Sequence, residues 1–493
     1  RVKNTIGYSL NAFLDWETPS AILARLMIGS EGTLGFISPI EWESCPDYDH
    51  KYTSLLFFPD IATACGSIAA VRELGATAVE FLDYNSLLSI GKREGVPPVV
   101  RALPQGTAAL LIEFSEPGEA ALEDRKAAFR QLVNSLRLTD SAGAGFIETK
   151  TAEDRAKLWK VRQGLLPSLS ATRDKGSTVI IEDLAFRTED LAAAVTDLQE
   201  LFRAFGYGRT GIYGHGLDGN VHFIIAENFD RSERIADYDR FMHSLFDLVV
   251  GKYNGSLKAE HGTGRNMATF VEKQWGSEAW SLMKSIKTLL DPHSILNPGV
   301  VISDNDRIHL ENIKSMPAID DEVDGCIECG FCEPSCPSRD LTLTPRQRIV
   351  LRREVKRCES DFVTVQSITK DYGYYGMDTC AVDGLCAVNC PLEINTGNLV
   401  KELRHQGQTK LSDAIAGLIA GNFAAASLLI KAGIMTARAI SSAVGERNLN
   451  RLTGTLFRGR LPRWAAISTC LQKAVPVTPP MHNSSIFPAA FQG

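Results

Sequence analysis

The 493-residue sequence predicts an α+β protein assembled from consecutive modules. Three observations carry that reading. Short apolar runs alternate with amphipathic helical segments through residues 50–302. Seven of the 11 cysteines fall into two spaced blocks between 326 and 390. The stretch from 411 to 443 is apolar and rich in alanine and glycine. The boundaries that follow are an end of one domain at 1–49, an α+β domain at 50–302, a linker at 303–324, an all-α cysteine module at 325–405, and a helical segment with a proline-containing tail at 406–493.

Composition is ordinary for a soluble globular chain, at 44% hydrophobic and 23% charged residues. The net charge of −7 is uneven: residues 401–493 hold 11 Lys and Arg against 3 Asp and Glu. Such a basic end suits an anionic partner or a membrane surface, or is simply a solvated helical face. Clustered thiols in a large chain read as metal ligands rather than a disulfide framework, which favours a reducing compartment. Nothing in the sequence matches an internal repeat, a P-loop or a nucleic-acid motif. The chain opens on Arg1, inside what reads as a motif, and is expected to be a fragment.

In the first 49 residues, Ile28–Phe36 places glycines at 29, 32 and 35. Their backbone amides suit a phosphate or a ring, and a plain turn between strands is the alternative. Thr53–Phe58, Ala78–Leu82 and Ala108–Phe114 read as strands. Gly118–Leu136 and Thr188–Phe205 read as helices of period 3.6, and Thr151–Leu166 as a helix carrying Arg162.

Tyr213–Phe223 carries the first strong signal, with Asp218-Gly219 as a two-residue type I′ hairpin turn. That register pairs Leu217 with Asn220 and His215 with His222. Directly opposed residues stand about 4.5–5.5 Å apart at Cβ, close enough for two imidazoles to share one metal ion. Lys258–Arg265 then sets Glu260 beside His261. A third, oxygen ligand gives a His₂Glu set with an open position. His261 is left as a general base, since imidazole titrates near working pH.

Gly-His-x-x-Asp-Gly-Asn-x-His at 214–222, followed by Glu-His-Gly-x-Gly at 260–264, resembles the C-terminal domain of FAD-linked oxidases of 2-hydroxy acids. That family includes D-lactate dehydrogenases, glycolate oxidase and D-2-hydroxyglutarate dehydrogenase, within the vanillyl-alcohol oxidase superfamily. The resemblance implies a ferredoxin-like α+β substrate domain preceded by the C-terminal end of an FAD-binding domain. It implies that His215, His222 and Glu260 bind a divalent metal, with zinc expected, and that His261 is the catalytic base. Arg162 would clamp the substrate carboxylate, and Asn220 joins the catalytic candidates. Against the flavin the family places a Lys-Asn-x-x-Gly-Tyr stretch, a Gly-Ser-Glu-Gly-Thr-Leu-Gly stretch and an asparagine. Here these give Asn4, Gly7, Gly29, Ser30, Gly32, Thr33, Gly35 and Asn297. The phosphate-binding half of the FAD domain is missing from the sequence, so this chain is expected to hold FAD weakly or not at all.

The second strong signal is Cys326-x₂-Cys329-x₂-Cys332-x₃-Cys336-Pro337. Thiolates at this spacing fit an iron–sulfur cluster, with the fourth cysteine serving another cluster. A structural zinc site is the alternative. The second block is Cys380-x₅-Cys386-x₃-Cys390-Pro391, with Asp383 where a regular two-cluster module has cysteine. The chain here resembles the α-helical ferredoxin domain of succinate dehydrogenase-like and glycerol-phosphate dehydrogenase-like proteins. That resemblance implies one 4Fe–4S cluster on Cys326, Cys329, Cys332 and Cys390. Cys336, Cys380 and Cys386 would hold a second, 4Fe–4S or 3Fe–4S, with Asp383 as an unusual fourth ligand or none. Cys45, Cys65, Cys358 and Cys470 are expected to be buried small hydrophobes.

Residues 411–443 are expected to form a packed helical hairpin rather than a membrane span, because the uncharged run Ala414–Ile430 is short of the ~20 residues a span needs. The tail after Pro462 reads as a linker. The functional expectation is an FAD-dependent dehydrogenase that oxidises D-2-hydroxyglutarate or D-lactate to the 2-oxo acid and passes electrons to iron–sulfur clusters. The alternatives are a glycolate oxidase-type subunit and a non-catalytic electron-transfer subunit. The expected partners are the hydroxy acid, a downstream acceptor (quinone, cytochrome or another carrier), and a peripheral membrane contact through the basic C-terminal region. The expected location is the cytoplasm, including the inner face of the membrane.

Overall fold

The computed structural model describes residues 2–91, 96–136 and 146–457. Cys470 and the proline-containing tail lie outside them. Two compact units divide the chain, Arg1–Leu403 and Arg404–Gly493.

The first unit is built on one antiparallel sheet of seven strands: β1 (His50–Phe58), β2 (Ala78–Leu82), β3 (Ala108–Glu116), β4 (Phe146–Glu148), β5 (Thr178–Ala185), β6 (Ile212–His215) and β7 (Asn220–Glu227). Their order is β4-β1-β3-β2-β6-β7-β5. The central strands are apolar on both faces because both faces are covered. Leu56, Phe58, Phe81, Leu110, Ile112 and Phe223 enter the larger core on one side. Helices Ile61–Glu73, Glu119–Ser135, Leu191–Ala204 and Ser232–Phe246 cover that side. Leu55, Phe57, Leu82, Leu111, Tyr213 and Ile224 enter the smaller core on the other. There the cover is Tyr84–Ile90, Ala152–Gln163 and Leu165–Ala171. The expected helix Thr151–Leu166 is thus two helices, jointed at Gly164.

The segment from 322 to 403 contains no strand among its described residues. Val323, Ile349 and Leu399 form its small core. Arg173 ties it to the α+β body: Nη2 donates to the carbonyls of Asp324 (2.8 Å) and Cys326 (3.0 Å), and Nη1 to that of Gly325 (3.2 Å).

In the second unit, helices Lys410–Gly421 and Phe423–Val444 are separated by Asn422. The expected packing is not present, since neither helix has a buried residue. The uncharged run is divided at Asn422, and its second part, from Phe423 on, belongs to a longer helix. Phe423–Val444 spans 22 residues and is long and apolar enough to cross a membrane. Of the four cysteines expected to be buried, Cys65 is; Cys45 is exposed and Cys358 half-buried.

Candidate active site

The smaller-core face of the sheet carries two rows of polar residues. Glu80 on β2 pairs with His215 on β6, which pairs with Asn220 on β7. Tyr213 on β6 pairs with His222 on β7, which pairs with Asp183 on β5. Directly paired residues point to one face, so all six project together.

This register corrects the expected hairpin. His215 opposes Asn220 rather than His222, and Leu217 lies in the turn, a single 3₁₀ turn Gly216–Asp218 closed by Gly219 at φ +64°. A type I′ turn needs two left-handed residues, and here Gly219 alone is left-handed. A tertiary contact decides it: the Gly219 carbonyl accepts the Phe186 N–H at 2.9 Å. The slip is by two residues, so the strand keeps its face and the histidines become diagonal neighbours. Their rings still meet edge to face, centroids 5.4 Å apart.

Glu260 completes the cluster. Its Oε1 lies 3.4 Å from His215 Nε2 and 3.3 Å from His222 Nε2. One donor atom from each of the three lies within 4.8 Å of the others. Two imidazole nitrogens and a carboxylate oxygen at this spacing fit a divalent ion such as zinc. Glu80 Oε1 stands 2.7 Å from His215 Nδ1, which holds that proton and turns the Nε2 lone pair toward the cluster. The hydrogen bond that His215 donates to Glu80 outweighs burial and raises the His215 pKa. Burial, then the neighbouring His261, pushes His222 down to about 4. For Glu260 burial works upward, but Lys3 and the two histidines overcome it and hold the carboxyl low.

His261 stacks on His222 with ring centroids 4.9 Å apart, its Nε2 3.9 Å from Glu260 Oε1. Behind it, Asp183 Oδ1 lies 3.5 Å from His261 Nδ1. Asp183 also builds the loop: its Oδ2 accepts the backbone N–H groups of Ala259, Glu260 and His261 at 2.5–3.2 Å. Lys258, buried against Glu182 and Asp183, neutralises that corner. Arg162 donates through Nε to Glu80 Oε2 at 2.6 Å and lies over the Tyr213 ring at 4.7 Å. Among the described residues its two Nη groups have no hydrogen-bond partner, so the fork that meets a carboxylate remains available. Asn220 is fully buried, with both amide atoms unpartnered.

Residues 49–301 match the family of FAD linked oxidases, C-terminal domain. The chain belongs to this FAD-linked oxidase family. Residues 322–394 further match a 4Fe-4S dicluster domain. It is 26% identical over 290 residues to the glycolate oxidase subunit GlcD of Bacillus subtilis, covering 58% of each chain. It is 28% identical over 282 residues to a mitochondrial D-lactate dehydrogenase [cytochrome] of Arabidopsis thaliana, covering 57% of this chain and 47% of that one. A probable mitochondrial D-2-hydroxyglutarate dehydrogenase of Oryza sativa subsp. indica is 31% identical over 284 residues, covering 57% and 48%. The chain spans about half the length of the curated relatives it matches.

The N-terminal stretch of the chain packs on the Glu260–Gly264 loop. Gly7 N–H donates to Thr263 Oγ1 at 2.9 Å, and Gly262 N–H to Thr5 Oγ1 at 3.1 Å. Glu31 accepts from Thr263 and Gly264, and Asn297 Nδ2 donates to the Glu31 carbonyl at 2.8 Å. Gly29 and Gly32 have positive φ, and the position a Cβ would take at each is open. Asn4, Gly29, Gly32 and Asn297 are exposed and Gly35 half-buried, a surface of backbone and amides that fits a flavin ring. Ser30 and Thr33 are buried instead; their hydroxyls donate to the Met27 and Ser30 carbonyls and close the turn.

The cysteines separate into two sets. Cys326, Cys329, Cys332 and Cys390 line one small cavity. Burial, then neighbouring Cys326 and Cys390, pushes the Cys332 thiol up to about 12, as expected of thiols crowded where a cluster would sit. Cys336, Cys380, Asp383 and Cys386 line a second cavity. Asp383 is exposed and accepts the Leu385 N–H at 3.1 Å.

Sequence reasoning missed Glu80, Asp183, Lys258 and Lys3. A signal existed for two of them: Glu80 in Ala-Val-Glu-Phe-Leu and Asp183 in Ile-Ile-Glu-Asp-Leu-Ala are carboxylates inside apolar strands.

Proposed function

We propose that this chain is the substrate-oxidising and electron-relaying part of an FAD-dependent dehydrogenase of D-2-hydroxy acids, D-2-hydroxyglutarate or D-lactate. The convergence of His215, His222 and Glu260 beside His261 carries the reading. A bound flavin would supply the acceptor for the α-hydride, a divalent ion would supply polarisation of the hydroxyl, and iron–sulfur clusters would supply one-electron transfer. The chain's residues do the rest. Arg162 holds the carboxylate through its Nη fork, and Asn220 offers its amide from the same face. His261 takes the hydroxyl proton at Nε2, and Asp183 behind Nδ1 stabilises the resulting imidazolium. His215, His222 and Glu260 would hold the ion; Asn4, Gly7, Gly29, Gly32, Gly35 and Asn297 would support the flavin.

The test is a dye-reduction panel on the full-length protein with D-2-hydroxyglutarate, D-lactate and glycolate, run on wild type and His261→Asn. Turnover of a D-2-hydroxy acid that His261→Asn abolishes at unchanged metal content is the expected result. Preference for glycolate would favour the glycolate oxidase reading. No turnover with bound flavin would favour an electron-transfer subunit.

The unburied, apolar helix Phe423–Val444, whose only charges are Lys431 and Arg438, supports the membrane contact. Co-sedimentation with anionic lipid vesicles, reduced by deleting residues 410–457, is the expected outcome; binding that survives the deletion would place the contact elsewhere.

A further inference from the structure

Helix Pro345–Arg357 begins at a capping box, Thr344 with Gln347, that fixes its first turn. Three of its arginines reach the cysteine-bearing stretch 326–336, and two meet carboxylates there. Arg346 pairs with Glu333 at 2.9 Å, and Arg353 with Glu328 at 2.8 Å. Arg348 has none among the described residues. It is also the most enclosed of the three, at 1% exposure. Its Nε donates to the Gly376 carbonyl at 2.7 Å, its Nη1 lies 3.7 Å from Cys336 Sγ, and its Nη2 has no partner.

A guanidinium does not give up its proton inside a protein. A buried charge persists only where an opposite charge or a full set of hydrogen bonds meets it. Arg348 has neither, and it lines the cavity of Cys336, Cys380, Asp383 and Cys386. The missing anion therefore belongs in that cavity. Thiolates from the three cysteines around an iron–sulfur core supply it, because such a cluster is net negative in both oxidation states. One added electron makes it more negative by one unit, so a fixed cation at this distance favours the reduced form.

We propose that Arg348 is the counter-ion of a second iron–sulfur cluster held by Cys336, Cys380 and Cys386, and that its charge raises that cluster's reduction potential. The inference rests on reading 322–394 as a two-cluster module, and it adds the residue that makes a three-thiolate site tenable.

The experiment is anaerobic reconstitution of the full chain with iron and sulfide. Wild type, Arg348→Met and Arg348→Lys are compared. The readouts are iron and sulfide per chain and a potentiometric titration followed by electron paramagnetic resonance. Two clusters in wild type are expected. Arg348→Met should lower the second midpoint, so that the reduced-to-oxidised ratio at the wild-type midpoint falls about tenfold, which is 59 mV for one electron. The first cluster's signal should not move, which controls for folding. If Arg348→Met loses the second cluster, Arg348→Lys decides: a retained cluster near the wild-type potential supports the charge role, and loss in both overturns it. Two clusters in all three proteins at one potential would overturn the role of Arg348 alone. A wild type that takes up only the first cluster would overturn the two-cluster reading with it.

Discussion

Glu80 Oε1 lies 2.7 Å from His215 Nδ1, across the β2–β6 ladder that pairs the two residues. The other Glu80 oxygen receives Arg162 Nε, so one buried carboxylate sets both a metal-ligand candidate and a substrate-binding candidate. Burial works against the Glu80 charge, but His215 and Arg162 hold its pKa below the ordinary range. Glu80→Gln should keep the fold and weaken metal binding roughly 10–100-fold, the usual effect of removing the partner behind a ligating histidine. Competition with a chromogenic chelator measures it; unchanged affinity would remove Glu80 from the site.

Metal binding should release about one proton near neutral pH. The proton comes from His215, whose pKa is raised, because His222 at about 4 and the lowered Glu260 have already lost theirs. Affinity should therefore fall about tenfold per pH unit below the His215 midpoint, which lies above its unperturbed value of about 6.5. Calorimetry in two buffers of different ionisation enthalpy counts the protons. The metal-free chain has linked stability windows. The contribution of His215 is fully present below about 6.5 and is lost as pH rises through the higher folded value. That of Glu80 is present above its unfolded pKa of about 4.3 and is lost as pH falls through the lower folded value.

Asp183 supports the loop that carries Glu260 and His261. Burial pushes its carboxyl up, but Lys258 and the loop N–H groups outweigh that and keep it ionised. Asp183→Ala leaves Lys258 partly uncompensated and three N–H groups without an acceptor. A loss of about 3–5 kcal/mol in urea unfolding is expected. A change under about 1 kcal/mol would show that water replaces the carboxylate without penalty.

Gly219→Ala tests the turn. A Cβ there would collide with the Phe186 carbonyl, and φ is already left-handed. The collision adds to backbone strain of about 1–3 kcal/mol, and together they should appear as a lower Tm and a weaker metal site, because β7 carries His222. Gly29→Ala, where the Cβ position is open, should cost only the φ strain and serves as the control.

Asp383→Cys should convert the second site to a full thiolate set. A carboxylate is a harder ligand than a thiolate and suits iron–sulfur chemistry less well. Wild type should therefore give a 3Fe–4S signal after brief air exposure, and the variant should resist it. Matching spectra without that signal would take Asp383 out of the ligand position.

The sequence by itself determined the alternation of strands and helices over 50–302, because hydrophobic period is local. It also determined the two blocks of cysteines, because those are matters of residue type and spacing, and its resemblance to a family singled out His215, His222 and Glu260, which the fold brings together. The structure decided what depends on contacts far apart in the chain. The turn at 216–219 follows the Phe186 N–H rather than the Asp218-Gly219 pair. Glu80, Asp183 and Lys3 reach the site from positions separated from Glu260 by 77 to 257 residues. Buried polar groups must find partners wherever the fold supplies them, and that search is settled by the packed sheet, not by neighbours in sequence. Arg348 shows the same rule from the other side: only its enclosure without a carboxylate reveals that its cavity calls for an anion.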